Sequence, residues 1–193
     1  MSKLVAYHPV IHLPPDYEVY DFTRGYDPHR ARKSSYGIGR YDEARQGMYD
    51  QEIFAGTRHI HMGIDIAAPV NTPVHAFAAG EVFLFGNNAA PGDYGFTLIT
   101  HHEIQGRPLW ALHGHLSTRS VKEKCEGQKF QPGDIIAWVG DRHENGGWNP
   151  HLHFQLSWER PQVCDMPGVV SAQDHAAALL RYPDPRLVLG SLY

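Results

Sequence analysis

A chain of 193 residues with 42% hydrophobic and 20% charged content has the size and make-up of one globular domain carrying a short appendage. Its formal charge is -4 and no Lys/Arg block stands out, so a nucleic-acid or anionic-membrane partner has no electrostatic support. Two cysteines, Cys125 and Cys164, are too few for a disulfide framework and lack Cys-x-x-Cys spacing, which favours free thiols in a reducing compartment.

The amino-terminal apolar stretch is interrupted at His8-Pro9 and again at Pro14-Pro15-Asp16, too early for a signal-peptide core, and this reading implies a cytoplasmic location. No run approaches eighteen apolar residues, so no membrane span is expected. Residues 1–55 are rich in aromatics and charges without sustained periodicity and read as an irregular arm wrapped over the main body. Within it, 41–49 has the composition of a short helix. From Arg58 onward the pattern changes to short strands, expected at 61–66, 74–77, 81–85, 96–101, 109–115 and 135–139. Gln105-Gly106-Arg107-Pro108 reads as a hairpin connection, and Gln131-Pro132-Gly133-Asp134 as a turn. A polar loop over 141–150 then delivers the chain to a final strand, 151–158, expected to close the sheet. Ser171-Ala172-Gln173-Asp174 is a capping-box pattern that places a C-terminal helix at 171–181, ending before Pro183. Residues 56–193 are therefore read as the main domain, mostly β, with that helix as its lid. Oligomeric state is not legible.

Three histidine segments dominate the chemistry: His61-Met62-Gly63-Ile64-Asp65, Leu112-His113-Gly114-His115-Leu116-Ser117 and His151-Leu152-His153-Phe154-Gln155. On a strand His151 and His153 project the same way, about 6 to 7 Å apart, so one can bind a metal while the other stands beside an activated water. Catalytic zinc takes three protein ligands and leaves one position for water, a set that His61, Asp65 and His153 would supply. In an extended chain His61 and Asp65 lie roughly 13 Å apart, so the backbone must bend between them, and Gly63 bends without steric penalty. No His-Glu-x-x-His occurs, which removes the helical zincin arrangement and its glutamate base. His115 and His151 are then the natural proton-handling pair, one accepting from water and the other hydrogen-bonding the oxyanion, with the assignment open.

In order, His61-Met62-Gly63-Ile64-Asp65-Ile66-Ala67-Ala68-Pro69, Thr72-Pro73-Val74, Ala79-Gly80-Glu81-Val82, Gly114-His115-Leu116-Ser117, Pro132-Gly133-Asp134 and His151-Leu152-His153-Phe154 resemble the lysostaphin-type (LytM-like) zinc metallopeptidases. The resemblance covers residues 58–158 and rests on several spaced motifs in the same order. It implies a compact, mostly antiparallel β-sheet of the duplicated-hybrid-motif type with the site in a groove. One zinc per chain on His61, Asp65 and His153, catalytic histidines at His115 and His151, and endopeptidase cleavage of peptidoglycan cross-bridges or stem peptides are implied with it. The Gly39-Arg40-Tyr41-Asp42-Glu43 arm and Pro183-Asp184-Pro185 tail are similar to the metallopeptidase-type domain found fused between kinase-like and aminotransferase-like domains. Two other readings stand beside an endopeptidase: a non-catalytic peptide-binding relative, and a zinc hydrolase of a different, intracellular amide.

Among the remaining residues, His113 is expected to share a strand face with His115 and so to border the site. His101, His102 and Glu103 read as strand-end surface residues, and Trp148 and Tyr94 as loop aromatics suited to a substrate groove. Ala78-Ala79-Gly80 is similar to a lipoyl-type hairpin, but with no lysine at the tip a carrier function fails.

Overall fold

The structure, a computed structural model, describes residues 6–27, 29–54 and 56–193, so the reading of the first five residues lies outside the described residues. The strands are β1 (Glu18–Val19), β2 (Gly37–Gly39), β3 (Glu43–Ala44), β4 (Arg58–His61), β5 (Ile64–Ala67), β6 (Pro73–His75) and β7 (Gly80–Asn88). They continue with β8 (Gly95–Ile104), β9 (Arg107–Leu116), β10 (Lys129–Phe130), β11 (Ile135–Trp138), β12 (His151–Ser157) and β13 (Val169–Ser171). Short helices follow at α1 (Arg119–Lys122), α2 (His175–Arg181) and α3 (Arg186–Leu189).

Eight strands form the main sheet in the order β1-β2-β5-β12-β9-β8-β7-β10, antiparallel throughout except for β1 beside β2. The fold is mostly β, of the expected class. Turn chemistry sets its longest hairpin: Gln105 and Gly106 both lie in the left-handed region, at φ 54° and 76°, the geometry that matches the twist of flanking strands. β12 does not close the sheet as expected. It lies inside, between β5 and β9, because nearly every one of its side chains is buried and such a strand must be covered on both faces.

Period-two alternation along β12 divides structure from chemistry. Leu152, Phe154 and Leu156 enter one core with Ile64 and Ile66 of β5 and Val74, Ile136 and Ala137 of the two-stranded β6–β11 sheet. His151, His153 and Gln155 point to the opposite face. On that side a second cluster packs Leu112 and Ile99 under Ile60, Val170 and Tyr182, contributed by the β13-β4-β3 sheet and the end of α2.

The N-terminal residues are more ordered than an irregular arm, since β2 pairs with β5 along Gly37–Gly39 and β3 pairs with β4. The helix expected over 41–49 is absent. Asp42 turns at φ 55°, and Glu43 and Arg45 are buried as an ion pair, a tertiary demand that outweighs helix propensity. At the other end the helix starts at His175 rather than 171. The β-branched Val169 and Val170 pair with β4, and Ser171 closes a turn by accepting from the Asp174 N–H at 3.2 Å and donating to its carboxylate at 2.7 Å.

His102, expected at the surface, is buried: its Nδ1–H donates to the Ala79 carbonyl at 3.1 Å, Nε2 accepts from the Thr100 hydroxyl at 2.8 Å, and the ring lies 4.1 Å from that of Phe77. A side chain at Gly80 would strike this imidazole, so the Ala-Ala-Gly hairpin serves packing. His113 is equally buried against Phe154. Burial pushes His102 down to about 4 and His113 down to about 3. Both are neutral when folded, while the unfolded chain takes up protons near pH 6.5. Stability is therefore complete above pH 6.5 and declines as pH falls from there toward 4, with the unfolded state binding the extra protons. Thermal melts across that window should show a falling Tm, and His102→Gln should start lower but descend less steeply; an unchanged slope would contradict the assignment.

Candidate metal centre

His61 ends β4, Asp65 sits in β5, and His153 of β12 lies directly across from Asp65 in the strand register. The chain breaks between β4 and β5 at Met62 and Gly63, as the bend argument requires. The reason glycine is needed there differs, however: a Cβ at Gly63 would come within 2.5 Å of the His153 ring, so it is the close approach that demands glycine. The result is a triangle of donor atoms. Asp65 Oδ1 lies 3.2 Å from His61 Nε2 and 3.0 Å from His153 Nδ1, and the two nitrogens are 3.1 Å apart.

Hydrogen bonds on the far side of each ring fix the tautomers. His61 Nδ1–H donates to the Arg40 carbonyl at 2.8 Å, and His153 Nε2–H donates to Gln155 Oε1 at 3.0 Å. Both remaining nitrogens present lone pairs, and they face a carboxylate oxygen. Three such atoms at these separations make a donor set that a cation can occupy. Tetrahedral zinc with bonds of about 2.0–2.1 Å requires donor separations of about 3.3 Å, close to those present, so the residues fit the ion.

Asp65 is held from behind. Its Oδ2 accepts from Arg45 Nη1 at 2.7 Å, while Arg45 Nε donates to Glu43 at 2.9 Å, Nη1 also to the Tyr49 hydroxyl at 3.0 Å, and Nη2 to the Arg40 carbonyl at 3.2 Å. Burial would raise the Asp65 carboxyl, but His61 and Arg45 beside it hold it well below the usual carboxylate range. His61 is depressed to about 4, by burial first and then by Arg45. Two imidazole nitrogens and one carboxylate oxygen thus converge on one point.

His115 and His151 stand at the edge of this centre with ring centroids 4.2 Å apart. Each donates Nδ1–H to a backbone carbonyl, His115 to Asn145 at 2.9 Å and His151 to Asn149 at 2.7 Å, leaving both Nε2 atoms as acceptors. His151 Nε2 is 3.7 Å from Asp65 Oδ1. Burial pushes both rings below the ordinary histidine value, His115 further, with His151 and His153 adding repulsion. His115 reaches this position only because its backbone is left-handed, at φ 62°, a conformation that is strained for a non-glycine residue. That kink breaks the alternation of β9. His113, expected on the same face, instead packs into the opposite core and does not line the groove.

The groove above the centre has a volume of about 390 Å³. Tyr94 and Trp148 line it as expected; Tyr94 donates to the Met166 carbonyl at 2.9 Å and its oxygen lies 3.4 Å from His153 Nε2. The opposite wall, unforeseen, comes from the N-terminal residues Tyr20, Phe22, Tyr26, Arg30 and Arg32. Arg45, Asn145 and Gln155 also contact the site residues, though the sequence motifs assign them no role. Gln155 had a signal, being two residues from His153 on the same strand face; Arg45 had none in the local pattern. His59 stays outside, with Nδ1 on the Thr57 carbonyl. Both cysteines are free, and burial raises Cys164 to about 12.

Residues 59–165 match the sequence profile of Peptidase family M23. The DD-carboxypeptidase/endopeptidase Mpg of Neisseria meningitidis serogroup B is 35% identical over 99 residues, 51% of this chain and 20% of that protein. Peptidoglycan DD-endopeptidase ShyA of Vibrio cholerae serotype O1 is 34% identical over 96 residues, 50% of this chain and 20% of its own length. The chain thus spans about a fifth of the length of these curated relatives. The solved structure of the antimicrobial peptidase lysostaphin from Staphylococcus simulans aligns with a TM-score of 0.50 at 23% identity, over 82% of this chain and 53% of that one, a likeness of fold. Since the profile match takes in more than half of the chain and encloses all five residues of the centre, the chain belongs to peptidase family M23.

Proposed function

We propose that the chain is a zinc-dependent endopeptidase, with His61, Asp65 and His153 as metal ligands and His115 and His151 as the proton-handling pair. Its proposed substrates are peptide bonds of peptidoglycan cross-bridges or stem peptides. The observation that carries this reading is the meeting of Asp65 Oδ1, His61 Nε2 and His153 Nδ1 within 3.2 Å of one another at the floor of a groove. The substrate class is supported by the relatives, whose names specify DD-carboxypeptidase, endopeptidase and peptidoglycan activities.

Held by His61, Asp65 and His153, a zinc ion would supply the Lewis acidity that polarises a scissile carbonyl and acidifies water. The chain's own residues handle the rest. His151 is neutral and its free Nε2 lies 3.7 Å from the Asp65 carboxylate, which favours a proton arriving there, so of the pair it is the better base. Once protonated it becomes a donor for the leaving amine. His115 cannot share that charge at a ring separation of 4.2 Å; its Nε2 lone pair instead accepts a hydrogen bond from the attacking water and orients it. Arg45 fixes the carboxylate rotamer, turning Oδ1 toward the histidines. Tyr94 and Trp148 provide apolar surface for substrate side chains, and the N-terminal wall narrows the opening.

Purified protein incubated with purified peptidoglycan should release new amino groups, and a chelator should stop it; zinc binding without release would reject peptidoglycan as the substrate. His153→Ala should lose both metal and turnover. His115→Asn, chosen because asparagine tolerates left-handed backbone, should keep the zinc and lose about 100-fold or more in turnover; full activity would remove His115 from the mechanism. Arg45→Lys retains the charge but not the planar fork, and competition with a chromogenic chelator should show zinc affinity reduced about 10- to 100-fold, an unchanged affinity being the contrary result.

A further inference from the structure

A second group of histidines lies away from the groove. His8 and His12 come from the N-terminal segment and His75 from the end of β6, and one ring nitrogen from each lies within 4.8 Å of the others. None of the three lines the groove. Backbone hydrogen bonds hold the two segments together, with His8 N–H on the Phe77 carbonyl at 2.9 Å and His75 N–H on the Val10 carbonyl at 2.8 Å.

Ring geometry is informative. An imidazole bound to zinc at about 2.0 Å has its centroid about 3.2 Å from the ion, so two on one tetrahedral ion have centroids about 5.2 Å apart. The three pairs measure 5.3 Å for His8 and His12, 5.4 Å for His8 and His75, and 5.0 Å for His12 and His75. In the groove the corresponding value for His61 and His153 is 5.0 Å. Tautomers agree as well. His8 Nδ1–H donates to the Pro9 carbonyl at 2.9 Å and His75 Nδ1–H to the Gly133 carbonyl at 3.0 Å, the outer hydrogen bond that orients a metal-binding imidazole and leaves Nε2 as the free donor atom. His12 is exposed, and its ring already stands beside both. Gly133 keeps room for the cluster, since a Cβ there would lie 3.1 Å from His8 Nε2.

We propose that His8, His12 and His75 form a second zinc site, with three neutral imidazoles and a solvent position. An all-imidazole set of this kind suits a borderline divalent ion rather than calcium or magnesium. Two ligands from the N-terminal segment and one from the sheet make the ion a clip. Its binding energy is then also docking energy for residues 8–12 against β6.

The test is zinc stoichiometry by elemental analysis and competition titration of the metal-free full chain, in the wild type, His12→Gln, His153→Ala and the double variant. His12 is exposed, so its replacement leaves the fold in place. Expected are two ions bound with micromolar or tighter Kd in the wild type, one in each single variant and none in the double. Zinc should also raise the Tm of His153→Ala but not of the double variant. The proposal is overturned by one ion in the wild type and none in His153→Ala, by two ions retained in His12→Gln, or by a second ion that binds only at millimolar zinc. The opposite pattern, an ion kept by His153→Ala and lost in His12→Gln while the wild type holds one, would support this site and reject the groove as a zinc centre.

Discussion

The Asp65 carboxylate is the constraint on which the remaining structure turns. One oxygen is committed to the Arg45 guanidinium and the other faces two imidazole nitrogens, so a single side chain joins a buried cation on one side to the His61 and His153 rings on the other. Neither half stands alone. Without Arg45 the carboxylate could rotate away from the histidines, and without the histidines a buried Arg45 would still face two carboxylates, Asp65 and Glu43, with nothing to balance the second. The N-terminal residues supply that guanidinium. They are therefore part of the centre's support as well as a wall of its groove.

Strand alternation carries most of the remaining organisation, and the chemistry sits where alternation is respected on one strand and broken on its neighbour. β12 keeps it, sending Leu152, Phe154 and Leu156 to the core and His151, His153 and Gln155 to the site. β9 violates it at His115, whose left-handed backbone swings the ring from the core face to the groove. The strain is held by neighbours: the His115 N–H donates to the Tyr94 carbonyl at 2.9 Å, its carbonyl accepts from Gly140, and its ring is tied to Asn145. A flexible site would not need such over-determination. A pair of imidazoles held 4.2 Å apart does, because their relative position has to be kept fixed.

The five residues that the fold brings together stand in ordered, spaced motifs, and the mostly β fold is legible in short apolar runs punctuated by glycine and proline. The bend at Gly63 was legible too, though its cause was misjudged: sequence distance indicated a turn, while the close approach of His153 is visible only in three dimensions. Local propensity misled at 41–49, where Glu43 and Arg45 look like surface helix formers and are instead a buried pair. The parity argument failed for His113, since no sequence rule announces a left-handed residue one position beyond a glycine. His102 was mistaken for a surface residue because the glycine that makes room for it, Gly80, is distant in sequence. The His8, His12 and His75 group had no local pattern, as two of its members lie more than sixty positions from the third.

The most direct measurement of the central claim is the X-ray absorption spectrum of zinc bound to the His12→Gln protein, in which the groove is the remaining centre. The account predicts a shell of nitrogen and oxygen atoms at about 2.0–2.1 Å, with outer scattering from two imidazoles and no sulfur. Failure to take up zinc, or a shell containing sulfur from Cys125 or Cys164, would contradict the assignment of His61, Asp65 and His153 as the ligands.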